Sequence, residues 1–150
     1  MGSEFGNEKL EMRNQGIRSF TDLDVYQRSL EAAKAILMKL IPRLPASEKY
    51  DLADQMRRCC KAIPALIAEG YAKKHQPRAF KKYLEDALGE CNEMNPHLVF
   101  CRDVYGIDSK LCDDLIRTYE ISGKQLYNLR RNWTTFGREE IKSNIPYLNS

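Results

Sequence analysis

Apolar residues recur along this chain by threes and fours, the spacing that lines one face of an α-helix. The first series is Leu23, Tyr26, Leu30, Ala33, Leu37, Leu40 and Leu44, with Thr21-Asp22 ahead of it as a cap. It predicts a helix over about 22–43. Pro42 and Pro45 end that helix, because proline has no amide hydrogen to donate and disfavours helix in the residue before it. A second helix starts near Ala46 or Ser47 and carries Leu52, Met56, Cys59 or Cys60, Ile63, Ile67 and Tyr71. Pro64 inside it reads as a kink, since the apolar face resumes at Ile67; Gly70 reads as its loosening end, and Lys73-Lys74-His75-Gln76 as a solvated turn. The third helix opens on Pro77, where a missing amide is harmless, and runs through Phe80, Leu84, Ala87, Cys91, Met94, Leu98, Cys101 and Tyr105, with a bend expected at Pro96. Gly106 closes it and Asp108 or Ser109 caps a fourth, built on Leu111, Leu115, Tyr119, Ser122, Leu126, Leu129 and Trp133. Thr134 to Ser150 has Gly137, Pro146 and no firm period, so a loop with at most a short helical turn is expected.

No strand pattern competes. Short turns place consecutive helices side by side, so the expected fold is all-α: an antiparallel up-down-up-down four-helix bundle over 20–133, with a leader over 1–19 and a tail over 134–150. Helices of about twenty residues span ~30 Å, which makes the bundle a rod with two ends.

At 150 residues, 43% hydrophobic and 30% charged, the chain fits one soluble globular domain. No apolar run approaches the roughly 20 residues that cross a bilayer. The opening Met1-Gly2-Ser3-Glu4-Phe5 lacks the apolar core of a signal peptide and reads as a remnant of cloning, so a cytoplasmic protein is expected. Cys59, Cys60, Cys91, Cys101 and Cys112 are odd in number, form no C-x-x-C pair and fall at helical core positions, which predicts reduced, structural thiols. The only histidines, His75 and His97, are not at ligand spacing from a cysteine or from each other, so neither a metal nor a cofactor is expected. Catalysis has no support: there is no glycine-rich phosphate loop or Ser-His-Asp grouping, and Glu90 and Glu93 lack the Glu-x-x-His partners of a di-iron bundle.

Charge changes this picture. The formal net of +3 hides a segment, 57–82, with eight basic side chains against the single acid Glu69, a local net of +7 that leaves −4 elsewhere. Up-down topology brings the turn between the second and third helices to the same end as the start of the first and the finish of the fourth, collecting Arg18, Arg28, Lys73, Lys74, Arg78, Arg130 and Arg131. Clustered cations neutralise phosphates and release their counterions, with Tyr71, Tyr83 and Tyr127 available for stacking. The candidate nucleic-acid contacts are Arg57, Arg58, Lys61, Lys73, Lys74, Arg78, Lys81, Lys82, Arg130 and Arg131. The plain alternative is a solvated surface, with Lys81-Lys82 paired to Glu85-Asp86 at i, i+4 and Arg57 and Arg58 in subunit or intrahelical ion pairs. Glu69 falls near the apolar face and is read as a salt-bridged structural carboxylate, and Trp133 as a core or interface anchor. A small-molecule pocket in the core is the third possibility.

Several segments carry a family resemblance. Phe20-Thr21-Asp22-Leu23 with Tyr26-Gln27 resembles F-x-D-L-x-V-[WY]-Q, and Pro45, Glu48, Tyr50 and Leu52 resemble P-x-x-E-x-Y-x-L. Gln55-Met56-Arg57-Arg58 and Ile63-Pro64-Ala65-Leu66-Ile67-Ala68-Glu69-Gly70 resemble Q-[IL]-R-R and I-P-x-N-I-A-E-G; Tyr83-Leu84 with Ala87-Leu88-Gly89-Glu90-Cys91-Asn92-Glu93 resembles [FY]-L-x-x-A-x-G-S-x-x-E. Over residues 20 to about 132 the chain is thereby similar to the four-helix bundle family of 23S rRNA intervening-sequence proteins. Leu66 stands where that pattern has Asn, and Glu90 where it has Ser. The resemblance implies a bacterial, ring-forming bundle, commonly a homopentamer, encoded within large-subunit ribosomal RNA genes. It also implies kinship with the accessory variability determinant of diversity-generating retroelements, a basic pentamer that binds reverse transcriptase and nucleic acid. A basic ring that binds RNA or DNA is therefore the expected function, with docking of a larger enzyme such as a reverse transcriptase as the alternative.

Overall fold

The computed structural model describes residues 18–144, with side chains described over 18–133; the expected leader up to residue 17 and the end of the tail from 145 lie outside the described residues. Four long helices follow one another: α1 (Asp24–Ala35), α2 (Leu52–Ala72), α3 (Pro77–Asp103) and α4 (Ser109–Asn144). No strand occurs among the described residues. Each helix packs on its two neighbours in a closed cycle, α1 on α2, α2 on α3, α3 on α4 and α4 back on α1, as an up-down-up-down four-helix bundle requires.

The chain enters α1 through a short 3-10 turn, Phe20–Asp22, rather than directly from Thr21-Asp22. Ser19 caps that turn, and the Asp22 side chain accepts in return from the backbone of Arg18 and Ser19, so donors that the turn cannot use are satisfied locally. At its far end α1 widens into a π turn over Ile36–Leu40 and tightens into a 3-10 turn over Ile41–Arg43 at Pro42. The buried face of α1 is not the expected stripe. Val25, Ser29, Ala32, Ile36 and Leu40 point inward with Leu23 and Ala33, whereas Tyr26, Leu30 and Leu37 are only half-buried. The helix carries two adjacent apolar stripes, and periodicity alone does not say which faces the core.

In α2 and α3 the expected core is the observed one, from Leu52 through Tyr71 and from Phe80 through Cys101. Pro64 and Pro96 lie within continuous helices. All five cysteines are buried and free, filling core positions. Gly70 does not loosen the end of α2. A Cβ there would come within 2.8 Å of Tyr83 Cβ, so the absent side chain lets α2 and α3 approach closely beside their turn. The α3–α4 turn uses the left-handed backbone of Gly106, at φ 61°, and Asp108 Oδ1 accepts from the amide of Leu111 at 3.1 Å as the cap of α4.

Glu48 holds the other end together. Asp51 makes no side-chain cap on α2; Glu48 instead reaches forward to accept from the Leu52 amide at 3.0 Å, and its second oxygen accepts from the hydroxyl of Tyr105 at the end of α3. Those two bonds hold its carboxyl below the ordinary value, the Tyr105 hydroxyl being the larger cause. Helix α4 departs most from expectation: its backbone stays helical to Asn144, through Gly137, where a loop was expected after Trp133. Arg138-Glu139-Glu140-Ile141-Lys142 is a run of residues with favourable or modest helix propensity, and the next proline is Pro146.

Two outcomes follow. Gly70→Ala overpacks the α2–α3 approach at about 1–3 kcal/mol, offset by up to ~1 kcal/mol of helix propensity, so urea unfolding should show a net loss of about 1–2 kcal/mol. Glu48→Gln should lower the urea midpoint at neutral pH. Because the folded-state carboxyl is depressed, its contribution is complete above the ordinary value of 4.5 and disappears as pH falls through the lower folded value. The gap between the Gln variant and the parent should therefore shrink below about pH 4.5; a gap unchanged down to pH 2 would rule the tie out.

Candidate nucleic-acid interface

The end of the bundle that holds the α2–α3 turn is built around Trp133. Its indole Nε1 donates to the Lys74 carbonyl at 3.0 Å and its ring meets Phe80 edge-on at 4.5 Å. Trp133 is buried, so α4 is pinned against the turn and Arg131, two residues earlier, comes to the same end. The start of α1 approaches this part of α4 as well, through Gln125 Nε2 donating to Asp24 Oδ2.

The ten candidate cations divide into groups. Lys73 and Lys74 lie on the turn, and Arg78 and Lys81 in the first turns of α3. None of these four, nor Arg131, makes an ion pair among the described residues. Lys73 Nζ sits 5.6 Å from the Tyr83 ring centre and Lys74 Nζ 4.5 Å from that of Tyr71, positions that orient both ammoniums without cancelling their charge. Two others at this end are neutralised. Lys82 pairs with Asp86 at 2.9 Å, which holds its ammonium above the ordinary lysine range, and Arg130 pairs with Glu85. Arg57 and Arg58 share Asp54, at 3.7 and 3.1 Å, and Arg58 lies roughly 22 Å along α2 from Lys73 at 1.5 Å per residue. They do not join the cluster. Lys61 is exposed beside an apolar groove between α1 and α2, lined by Phe20, Tyr26, Leu30, Leu37, Pro64 and Ala68. Arg28, also expected at this end, pairs with Asp24 at 3.2 Å.

The expected stacking rings differ among themselves. Tyr71 is buried, Tyr83 is half-buried beneath Lys73, and Tyr127 is 52% exposed, so only Tyr127 offers an open face. Glu69 is not near the apolar face. It is exposed, makes no ion pair among the described residues, and lines a groove between α2 and α3 together with Glu85, Asp86, Glu90 and Glu93. Leu66 and Glu90, the two departures from the family pattern, both line this acidic groove. Sequence counting missed it because its acids come from two helices, with Leu66 and Gly89 between them.

Burial pushes the Cys60 thiol up to about 11 and that of Cys91 up to about 12, so neither is a nucleophile near neutrality. Among the described residues no helix is long and apolar enough to cross a membrane.

Comparison with known proteins agrees with the motifs. No curated protein matches the chain. The family model described as 23S rRNA-intervening sequence protein matches residues 21–128, from the 3-10 turn ahead of α1 to the part of α4 just before Arg130. With that match covering well over half of the chain, the protein belongs to the 23S rRNA-intervening sequence protein family.

Proposed function

We propose that this protein is a non-catalytic, self-assembling nucleic-acid-binding bundle that grips phosphates with the end carrying the α2–α3 turn. The observation that carries the reading is the set of Lys73, Lys74, Arg78, Lys81 and Arg131 at one end, unpaired with any acid among the described residues. Ammonium and guanidinium groups that are not already neutralised release condensed counterions when they meet a polyanion, which is the dominant sequence-independent term in nucleic-acid binding. Lys82 and Arg130 contribute less, because each must first give up a carboxylate partner, and Arg57 and Arg58, paired with Asp54, stand apart from the cluster. Tyr127 adds one exposed ring for a base.

Self-assembly is supported by the half-buried stripe of α1. Tyr26, Leu30 and Leu37, with Phe20, Pro64 and Ala68, leave an apolar groove on the α1–α2 side that a second copy would cover. A ring, five copies by the family resemblance, repeats the basic end around an axis, so that weak attractions to one strand add through effective concentration.

The charge test is a fourfold reversal, K73E, K74E, R78E and K81E, titrated against a mixed pool of single-stranded and structured RNA with salt varied. Affinity should fall at least tenfold, and the log–log salt slope should flatten by about 0.7–0.9 for each phosphate that is no longer neutralised. Arg58→Glu, remote from the cluster, should leave both unchanged. Affinity indifferent to the fourfold change would sink the phosphate reading and send the search to protein partners.

The assembly test places a charge in the α1 stripe. Leu30→Glu with Leu37→Glu should reduce the solution mass by light scattering to that of the 17.4 kDa chain, with helicity retained. A multimer that persists in this variant would place the interface on another face.

A further inference from the structure

The acidic groove holds an arrangement that the basic end does not use. Cys59 on α2 and Glu90 and Glu93 on α3 bring one sulfur and two carboxylate oxygens within 4.8 Å of one another. The Cys59 thiol is 3% exposed and donates across the helix interface to the Glu90 carbonyl at 3.1 Å, so its sulfur is fixed at the floor of the cluster. One turn further along α3 is His97, 7% exposed, whose Nε2 has no hydrogen-bond partner among the described residues. That nitrogen lies 3.7 Å from Glu93 Oε1, too far for a hydrogen bond. A buried imidazole nitrogen left unpaired costs free energy. A metal cation shared by the nitrogen and the carboxylate satisfies both.

We propose that Cys59, Glu90, Glu93 and His97 form a binding site for a divalent cation of the zinc type, which clips α2 to α3. The donor set decides the class. Thiolate and imidazole with carboxylate suit Zn²⁺, whereas Mg²⁺ and Ca²⁺ take shells of oxygen. Bonds of about 2.0–2.3 Å place tetrahedral ligand atoms roughly 3.3–3.8 Å apart. Cys59, Glu90 and Glu93 close to that spacing by rotation of the two glutamates, neither of which is held by a lysine or arginine among the described residues, whereas His97 lies outside the 4.8 Å set and must turn its ring from beside Glu93 to join them. Glu69 extends the negative field along the groove and raises the local cation concentration. On binding, the Cys59 S–H bond is replaced by an S–metal bond and the proton leaves to solvent. The cluster escapes a search by sequence spacing because Cys59 is on a different helix, 31 residues before Glu90.

The test uses the full chain and Co²⁺ as a spectroscopic probe, with Zn²⁺ as competitor. One equivalent of Co²⁺ should produce thiolate-to-cobalt charge-transfer absorption, which Zn²⁺ bleaches. Cys59→Ser should abolish the band. Glu90→Gln and His97→Gln should each weaken Co²⁺ binding about tenfold or more, the scale of losses when a metal site is disturbed. Glu31→Gln, a carboxylate on α1, should leave it unchanged. Because Cys59 is buried and its variant can fail to fold, Glu90→Gln at the groove surface provides the independent arm, with helicity checked by circular dichroism. Absence of a charge-transfer band, or Co²⁺ affinity indifferent to Glu90→Gln and His97→Gln, would overturn the site; the second result would mean adventitious binding by surface carboxylates.

Discussion

The approach of α2 to α3 at Gly70 sets the geometry on which both charged surfaces depend. With no side chain at that position, Tyr83 lies directly against the α2 backbone, and the turn that follows is held tight enough to present Lys73, Lys74 and Arg78 together. Further along the same pair of helices, the approach lets the Cys59 thiol reach the Glu90 carbonyl. It also narrows the surface between Leu66 and Gly89 into a groove walled by carboxylates. A larger residue at Gly70 separates the helices where their spacing governs everything downstream. Trp133 fixes the third partner, since its bond to the Lys74 carbonyl can form only when α4 lies against that turn.

Basic and acidic surfaces then sit side by side on one helix pair, and the ion pairs between them mark the border. Lys82 with Asp86 and Arg130 with Glu85 lie where the cluster of the turn meets the groove. Each pair removes one cation from the end and one acid from the groove, leaving the two fields of opposite sign but separated. Exposed pairs of this kind add little stability. Their consequence is in the field, which changes sign over a few residues instead of cancelling.

The helix faces of α2, α3 and α4 were legible because each carries a single apolar stripe with a partner on both sides, so periodicity and burial coincide from Leu52 to Tyr71 and from Phe80 to Cys101. Helix α1 was misjudged in register for the opposite reason: Tyr26, Leu30 and Leu37 repeat as regularly as Val25, Ala32 and Ile36, and only packing distinguishes them. The basic end was found by counting charge, but counting cannot see neutralisation. Arg130 and Glu85 are 45 residues apart in sequence and meet only because α3 and α4 are antiparallel neighbours. The same blindness hid Glu48, which caps α2 and ties down Tyr105, a residue 57 positions away. The helical backbone to Asn144 is not legible from periodicity, because Gly137 and the lack of an apolar period point to a loop while intrinsic helix propensity needs no apolar stripe.

The placement of the acids bears on how a polyanion would lie on the proposed binding end. Lys73, Lys74, Arg78, Lys81 and Arg131 attract phosphates, while Glu69, Glu90 and Glu93 on the adjoining flank repel them. Screening limits such repulsion to about 8 Å at physiological ionic strength, so it acts on the nearest phosphates and not on the whole strand. On the proposed function, a strand held by the cluster would be turned away from the α2–α3 groove and led across the end of the bundle, toward Arg131 on α4 and the exposed ring of Tyr127. In the proposed ring that path would run from one bundle end to the next. A cation held at the proposed site would weaken the repulsion from the flank, so occupancy of the groove and the path of a bound strand would be electrostatically coupled through Glu90 and Glu93.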